Sequence, residues 1–229
     1  KKLLWLGSSV FQGFGSGKTS PALYIDALDG TISTIEVKGG TFLASIDGSI
    51  GGGVAGSISA DSSYINRLRN HTAETDPDLD LVVVQLSTND SKGQCETGVV
   101  SDSFDPATFD EVTTTGALEA IIAYAKETWG ARVLVITGTY FEDEMTYSGG
   151  QNAEIYKTMI ERCHELDEKW GDDFTVLDLW HNDAMYENVK TGDALWRSYM
   201  SDAIHPTKKG YLEWWGPYIE AQLYEMLAD

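Results

Sequence analysis

Four short apolar runs, whose core residues do not alternate with polar ones, constrain the fold of this chain most. They are Leu3 to Leu6, Leu79 to Leu86 (LDLVVVQL), Arg132 to Thr137 (RVLVIT) and Phe174 to Leu179 (FTVLDL). Continuous apolarity indicates strands that are covered on both faces, as in parallel sheets. A further strand is predicted near Thr34 to Val37, in a segment that is otherwise rich in glycine.

Amphipathic helical patterns separate these runs. They cover Pro21 to Leu28, Ser62 to His71, Gly116 to Trp129, Asn152 to Trp170 and Thr207 to Leu227. Strands that alternate with helices of this length predict βαβ units with a parallel sheet and right-handed crossovers. The 229 residues fit one domain that spans residues 1–229.

Charge and cysteine content exclude several function classes. With 16 basic and 36 acidic residues the net charge is −20, which repels nucleic acid and anionic lipid surfaces. Cys95 and Cys163 are too few for a disulfide scaffold and lack the spacing of a redox or zinc motif. Cys163 belongs to a stripe that predicts a buried helix face: Tyr156, Met159, Ile160, Cys163, Leu166 and Trp170.

Compartment is constrained only loosely by the sequence. No apolar run approaches the roughly 20 residues that span a bilayer, so no membrane insertion is expected. The chain begins at Lys1 rather than at a methionine. We therefore expect a soluble protein, either cytoplasmic or secreted after removal of an upstream signal.

The stretch GSSVFQGFGSGKTS directly follows the first apolar run, and two chemistries use such a loop. Backbone amides at a helix N-terminus bind phosphates, and they also stabilise oxyanions beside a nucleophilic serine. The phosphate loop requires a glycine five residues before Gly17, where this chain has Gln12, while Gly13 comes one residue too late. The register therefore disfavours nucleotide binding.

The serine alternative requires a nucleophile and a base. Ser8 and Ser9 both stand at the carboxyl end of the first predicted strand. Near the C-terminus, SDAIHPTKKGY places Asp202 three residues before His205, and Pro206 is expected to put His205 at the threshold of the last helix. The carboxylate can then orient the imidazole as a neutral base.

The other histidines compete for the base role, and His181 is the serious rival by position. It follows the strand FTVLDL, but the carboxylate before it, Asp178, is predicted to lie within that strand.

An asparagine completes the pattern. Asn89 in QLSTND follows a predicted buried strand, and its amide can donate to an oxyanion without changing charge. Because ligands bind outside the carboxyl ends of parallel strands, the connections that carry Ser9, Gly56, Asn89 and His205 are expected to meet at one edge. The long irregular stretch from Asp90 to Thr115 is expected to rim this site.

These motifs resemble the SGNH hydrolases, also called the GDSL family of esterases and lipases. The likeness covers most of the chain and is carried by four blocks: LGSSVFQG, VAGSIS, QLSTND and DAIHP. Ser8 stands where the family usually has the aspartate of G-D-S, and Ser87 where it usually has glycine. The first departure leaves Ser8 as an alternative nucleophile.

The resemblance implies a fold and a set of roles. The fold is a three-layer α/β/α, flavodoxin-like sandwich with a five-stranded parallel sheet. Ser9 is the implied nucleophile, with His205 as base and Asp202 as its partner. Ser9, Gly56 and Asn89 are the implied oxyanion donors, with Gly51, Gly52 and Gly53 as alternatives to Gly56, and neither metal nor cofactor is implied.

We accordingly expect a serine esterase acting on small acyl esters, including acetyl esters on carbohydrate. The alternative is a catalytically weak protein that binds a glycan or lipid in the same cleft.

Two other motifs have simpler interpretations. Aromatic side chains near His205 could stack on sugar rings or line a substrate pocket: Trp196, Tyr199, Trp214 and Trp215. For Trp214, Trp215 and Tyr218, packing of the last helix onto the sheet is favoured instead. The acidic stretch DPDLD, Asp76 to Asp80, begins like a calcium loop, but Leu81 replaces the required glycine and Ser87 the final glutamate, so it is interpreted as a solvated turn.

Overall fold

A five-stranded parallel sheet forms the centre of the molecule. The computed structural model describes residues 1–13, 16–17, 20, 30–49, 57–142, 150–185 and 198–228. The strands are β1 (Lys2–Gly7), β2 (Ile32–Val37), β3 (Gly48–Ser49), β4 (Ser57–Ile58), β5 (Leu81–Gln85), β6 (Arg132–Ile136) and β7 (Phe174–Leu177). The sheet has the order β2-β1-β5-β6-β7, and β3 and β4 pair as a separate antiparallel ribbon.

The strand order reverses at β1. From β1 the chain moves outward to β2, then returns to the other side of β1 and continues through β5 and β6 to β7. This reversal places helices on both faces, which gives the predicted three-layer α/β/α architecture. In such a sheet the crevice at the carboxyl ends of the two strands flanking the reversal, here β1 and β5, is the usual ligand site.

The strands are buried as their continuous apolar sequences predict. All four residues of Leu3 to Leu6 and of Leu81 to Val84 are at most 1% exposed. β7 is shorter than predicted, because the hydroxyl of Thr137 accepts hydrogen bonds from the amides of Leu179 and Trp180 and so replaces the strand ladder there. Asp178 consequently lies beyond the strand rather than within it.

Within the described ranges, the α-helices with defined bounds are α1 (Ser9–Gln12), α2 (Tyr64–Leu68), α3 (Thr114–Trp129), α4 (Ala153–Trp170) and α5 (Gly216–Leu227), the last preceded by a π-helical segment, Gly210–Trp215. Thr113 caps α3 by accepting from the amide of Gly116, and Asn152 caps α4 by accepting from that of Ile155. The predicted apolar stripe is confirmed as the buried face of α4. The helix predicted over Pro21 to Leu28 lies outside the described residues.

The long connection after β5 is anchored against α3 and α4. Lys169 on α4 donates to the carbonyls of Ser101 (2.7 Å) and Ser103 (2.6 Å) and pairs with the buried carboxylate of Glu119 on α3 (2.5 Å). The rings of three aromatic residues surround its ammonium group: Phe104, Phe109 and Trp170. This part of the 90–115 segment is thus packed onto the helices.

Candidate active site

Ser9 begins α1, immediately after β1, and its hydroxyl meets a histidine from the far end of the chain. The distance between Ser9 Oγ and His205 Nε2 is 2.8 Å. His205 is held by the backbone around it, since its carbonyl accepts from both the amide and the hydroxyl of Ser201. The two residues are 196 positions apart in sequence. Their approach is therefore produced by the fold and not by local structure.

Asp202 orients this histidine. Its carboxylate lies 2.8 Å (Oδ2) and 3.0 Å (Oδ1) from His205 Nδ1 and accepts from the amides of Ile204 and His205 at 2.8 and 2.7 Å. Burial alone would raise the pKa of Asp202, but the hydrogen bonds from His205 and these amides outweigh burial and lower it. An ionised carboxylate at Nδ1 favours the neutral tautomer that carries its proton on Nδ1, in which Nε2 is the acceptor for the Ser9 hydroxyl.

The bounds predicted for the last helix, Thr207 to Leu227, are confirmed to within one residue at its start, but Pro206 does not occupy the first helical position. Pro206 forms a β-bridge with Met200, and Thr207 donates its amide to the carbonyl of Tyr199. The helix therefore begins after Thr207, whose hydroxyl accepts from the amide of Gly210. His205 consequently lies in a short hairpin ahead of the helix rather than at its threshold.

Two of the three candidate oxyanion donors, Ser9 and Asn89, lie among the described residues. The amide of Ser9 has no hydrogen-bond acceptor among the described residues. Asn89 lies beyond the carboxyl end of β5, is 5% exposed, and donates one N–H of its Nδ2 to the carbonyl of Thr41 at 3.0 Å. An amide nitrogen has a second N–H, which is the one available for a ligand. Gly56 and the alternatives Gly51, Gly52 and Gly53 lie outside the described residues.

Asp90, next to Asn89, fixes the segment that Asn89 contacts. It is 1% exposed, and its two oxygens accept from the amides of Leu43 and Ala44, both at 2.9 Å. Burial raises the pKa of the Asp90 carboxyl, while these and other hydrogen bonds act in the opposite direction. Burial together with Asp90 also raises the pKa of the nearby Cys95 thiol to about 12, which disfavours thiolate chemistry there.

Ser8 differs from Ser9 in its surroundings. Its side chain is fully buried, and its hydroxyl accepts from Gln85 Nε2 at 2.9 Å. Sequence reasoning did not identify Gln85 as a residue of the site. A signal was present, because a glutamine inside the apolar run LVVVQL must find buried hydrogen-bond partners.

Two further buried side chains, Tyr211 and Arg67, contact residues next to the site. No sequence pattern predicts these contacts. Tyr211 donates its hydroxyl to the carbonyl of Val10 at 2.7 Å and so joins the helix that follows His205 to the one that begins at Ser9. Arg67 donates to the carbonyls of Gly7 and Glu36, at the ends of β1 and β2.

The rival histidine has a partner of its own. His181 Nδ1 lies 2.7 Å from Asp178 Oδ2, and the same oxygen lies 2.8 Å from His164 Nε2. The expectation that Asp178 is confined within the strand is therefore wrong. No serine hydroxyl lies within hydrogen-bond distance of His181 in the part of the chain that the structure describes.

The aromatic residues near His205 pack against the fold. Trp214 and Trp215 are 6% and 1% exposed. One face of the Tyr199 ring stacks on Trp214 with centroids 5.4 Å apart, and the ammonium group of Lys209 lies 5.3 Å from the centroid of the same ring. Tyr218 lies at 36% exposure, and Trp196 is outside the described residues. Burial confirms the favoured packing interpretation for Trp214 and Trp215 but not for Tyr218, which is exposed.

Across the described ranges, no group of three or more His, Cys, Asp or Glu side chains is arranged to hold a metal ion. Two carboxylates of the DPDLD stretch are engaged in hydrogen bonds, Asp76 with His71 and Asp80 with the amide of Lys2. None of the described helices is long and apolar enough to cross a bilayer.

Comparison with known proteins gives a family and several similar folds. The model of the GDSL-like lipase/acylhydrolase family matches residues 5–212. A Lactobacillus plantarum protein of known structure has a TM-score of 0.65 and 18% identity, with 100% of this chain and 96% of that chain covered. No curated protein sequence matches significantly.

Two similar structures are named as enzymes that act on carbohydrate. A carbohydrate acetylesterase family member from Sinorhizobium meliloti has a TM-score of 0.60 and 16% identity, with all of both chains covered. A family two carbohydrate esterase from Clostridium thermocellum, solved with cellohexaose, has a TM-score of 0.59 and 14% identity. The match covers all of this chain and 65% of the clostridial one.

Proposed function

Because the chain belongs to the GDSL-like lipase/acylhydrolase family and is an ester hydrolase, we propose that it cleaves acyl esters with Ser9 as nucleophile, His205 as general base and Asp202 as the residue that orients His205. The observation that carries this assignment is the continuous hydrogen-bonded series from Ser9 Oγ through both ring nitrogens of His205 to Asp202. Each distance is short enough for proton transfer without rearrangement.

The proposed first half-reaction forms an acyl-enzyme. Ser9 Oγ attacks the ester carbonyl carbon while His205 Nε2 takes the hydroxyl proton, and Asp202 stabilises the imidazolium. The carbonyl oxygen becomes an oxyanion that the Ser9 amide, Asn89 and Gly56 are proposed to bind. His205 then gives its proton to the departing alcohol as the carbon–oxygen bond breaks.

The second half-reaction, deacylation, regenerates the free enzyme. A water molecule gives a proton to His205 and attacks the acyl-enzyme carbonyl, and the same donors stabilise the second oxyanion. Collapse releases the carboxylic acid and returns the proton to Ser9. Both steps use the same three residues, so removing one of them affects acylation and deacylation alike.

We propose small acyl esters as substrates, with acetyl esters on carbohydrate as the preferred class. Support comes from the two carbohydrate-active enzymes of similar fold named above. The net charge of −20 adds a constraint, because it disfavours polyanionic substrates and leaves neutral sugar esters favoured.

The experiment is hydrolysis of p-nitrophenyl acetate, butyrate and octanoate, with acetate release from a fully acetylated glucose as the carbohydrate arm. Ser9→Ala is expected to reduce turnover to background, whereas Ser8→Ala, its sequence neighbour, should keep activity within about tenfold. A wild type that is inactive on every ester but binds cello-oligosaccharides would favour the binding-protein alternative. Equal loss in both serine variants would contradict the assignment of Ser9.

A further inference from the structure

Gln85 makes three hydrogen bonds to the segment that carries Ser9. It ends β5, is 2% exposed, and reaches across to the end of the neighbouring strand β1. Its Oε1 accepts from the amides of Ser8 at 3.0 Å and Phe11 at 2.9 Å, and its Nε2 donates to Ser8 Oγ at 2.9 Å. One side chain therefore holds both ends of the turn around Ser9.

The orientation of this amide is fixed by its neighbours. Two backbone N–H groups can be satisfied only by the oxygen, so the nitrogen must face the Ser8 hydroxyl. Ser8 precedes α1 but makes no capping hydrogen bond to it. Gln85 supplies the cap instead, by accepting from the amide of Phe11, 74 residues away in sequence.

The same contacts determine which amides remain available. The first intrahelical bond of α1 runs from the amide of Gln12 to the carbonyl of Ser8, so the three preceding amides have no partner within the helix. Gln85 takes that of Phe11. The amides of Ser9 and Val10 have no acceptor among the residues the structure describes.

We infer that Gln85 is a positioning residue that aims the Ser9 amide and hydroxyl at the oxyanion and carbonyl carbon of the substrate, an inference that rests on the proposed function. Gln85 itself is buried beneath the turn and acts through Ser8 and Phe11. An oxyanion exists only in the transition state and tetrahedral intermediate, so loss of this alignment lowers kcat and leaves substrate binding nearly unchanged.

The test compares two replacements of similar size. Gln85→Met removes every hydrogen bond and is expected to lower kcat by about 100-fold with KM within about threefold of wild type. Gln85→Glu keeps an acceptor for both amides, and the Ser8 hydroxyl can turn to donate to its other oxygen. We expect Gln85→Glu to stay within about tenfold of wild-type kcat.

A stability control separates positioning from general weakening of the sheet. Val133, fully buried near the amino end of β6 and away from the site, supplies it as Val133→Ala. This variant is expected to lower the melting temperature while kcat stays within about twofold. If Gln85→Met does not fold, Gln85→Asn replaces it, since an amide shortened by one methylene cannot reach both backbone N–H groups and should lower kcat in the same way.

The results distinguish this inference from the proposed function. Absence of any Ser9-dependent hydrolysis in the wild type would remove both. Ser9-dependent hydrolysis with kcat unchanged in a folded Gln85→Met or Gln85→Asn variant would overturn the role of Gln85 alone. Equal losses in Gln85→Met and Gln85→Glu, or a rise in KM at constant kcat, would also overturn it.

Discussion

Two Asp-x-x-His pairs in this molecule share nearly the same local geometry. Asp202 lies 2.8 Å from Nδ1 of His205, and Asp178 lies 2.7 Å from Nδ1 of His181. In both pairs the carboxylate also accepts from the amide of its histidine, at 2.7 and 3.0 Å. In both, hydrogen bonds lower the pKa of the aspartate against the opposing effect of burial.

The pairs differ in what the fold brings to them. The His205 side chain is 16% exposed and its Nε2 meets Ser9, whereas the His181 side chain is 52% exposed and Asp178 is shared with His164. A four-residue motif is therefore sufficient to orient an imidazole. A candidate active site also requires a serine hydroxyl within hydrogen-bond distance of that imidazole. Ser9, close to the end of β1, provides it for His205.

The largest expected effect is that of neutralising Asp202, which we compare with the same change at Asp178. Asp202→Asn should lower kcat/KM for p-nitrophenyl acetate by about 10⁴-fold, because the altered hydrogen bond favours the wrong tautomer of His205. Asp178→Asn is the matched control and should leave kcat/KM within about twofold. A comparable loss in both variants would show that the proximity of Ser9 does not distinguish the pairs.

Removal of the proposed side-chain oxyanion donor comes next. Asn89→Ala should lower kcat by about 100-fold to 1000-fold with little change in KM. Asn182→Ala, beside His181, removes an asparagine whose side chain accepts from the amide of Met185, and it should leave kcat unchanged. A loss below tenfold in a stable Asn89→Ala protein would contradict the proposed role.

Replacing the buried carboxylate of Asp90, the residue after Asn89, should lower the thermal stability of the protein. Asp90→Asn leaves one acceptor oxygen for two backbone amides and turns an N–H group toward the other, at a cost of about 2 kcal/mol. For a protein of this size that lowers the melting temperature by about 4–8 °C. Thermal unfolding followed by circular dichroism measures the change, and an unchanged midpoint would argue against the Leu43 and Ala44 contacts.

A smaller effect is expected from the Tyr211 hydroxyl, which joins the last helical segment to α1. Tyr211→Phe removes the bond to Val10 and should lower kcat by about fivefold to tenfold by loosening the approach of Ser9 to His205. Tyr124→Phe removes a similar bond, to the carbonyl of His71, away from the site. Steady-state kinetics should separate the two, and equal kcat values would remove Tyr211 from the positioning contacts.

The smallest effect concerns the pH dependence of the control pair. The folded-state pKa of Asp178 is lowered, so its carboxylate stabilises the fold above the unfolded pKa of about 3.9, and that stabilisation is lost as pH falls through the folded pKa. The difference in melting temperature between wild type and Asp178→Asn should therefore be present at neutral pH and shrink in strong acid. A difference that grows as the pH falls below about 3.9 would contradict this sign.

The same contrast explains what could be predicted from sequence. Asp202 and His205 could be read from DAIHP because their contacts span three residues, and the buried face of α4 could be read from its periodicity. The roles of Gln85 and Tyr211 depend on partners 77 and 201 positions away. No local pattern contains such distances, so only the folded arrangement reveals them.

The incorrect expectations have local physical causes. FTVLDL predicts a strand that includes Asp178 because it reads as one apolar run, but Thr137, which follows β6, ends the ladder with its side chain. His205 lies ahead of the last helix rather than at its threshold, because Pro206 forms a bridge with Met200. In both places, hydrogen bonds to another segment of the chain outweighed the preference of the local sequence.

The most direct test of the account is covalent labelling with a fluorophosphonate, located by peptide mass spectrometry. The reagent reacts with a serine only where a base and oxyanion donors activate it. We predict one adduct, on Ser9, that is absent in Ser9→Ala and forms far more slowly in Asp202→Asn than in Asp178→Asn. An adduct on Ser8, or labelling that persists in Ser9→Ala, would contradict the assignment of the nucleophile.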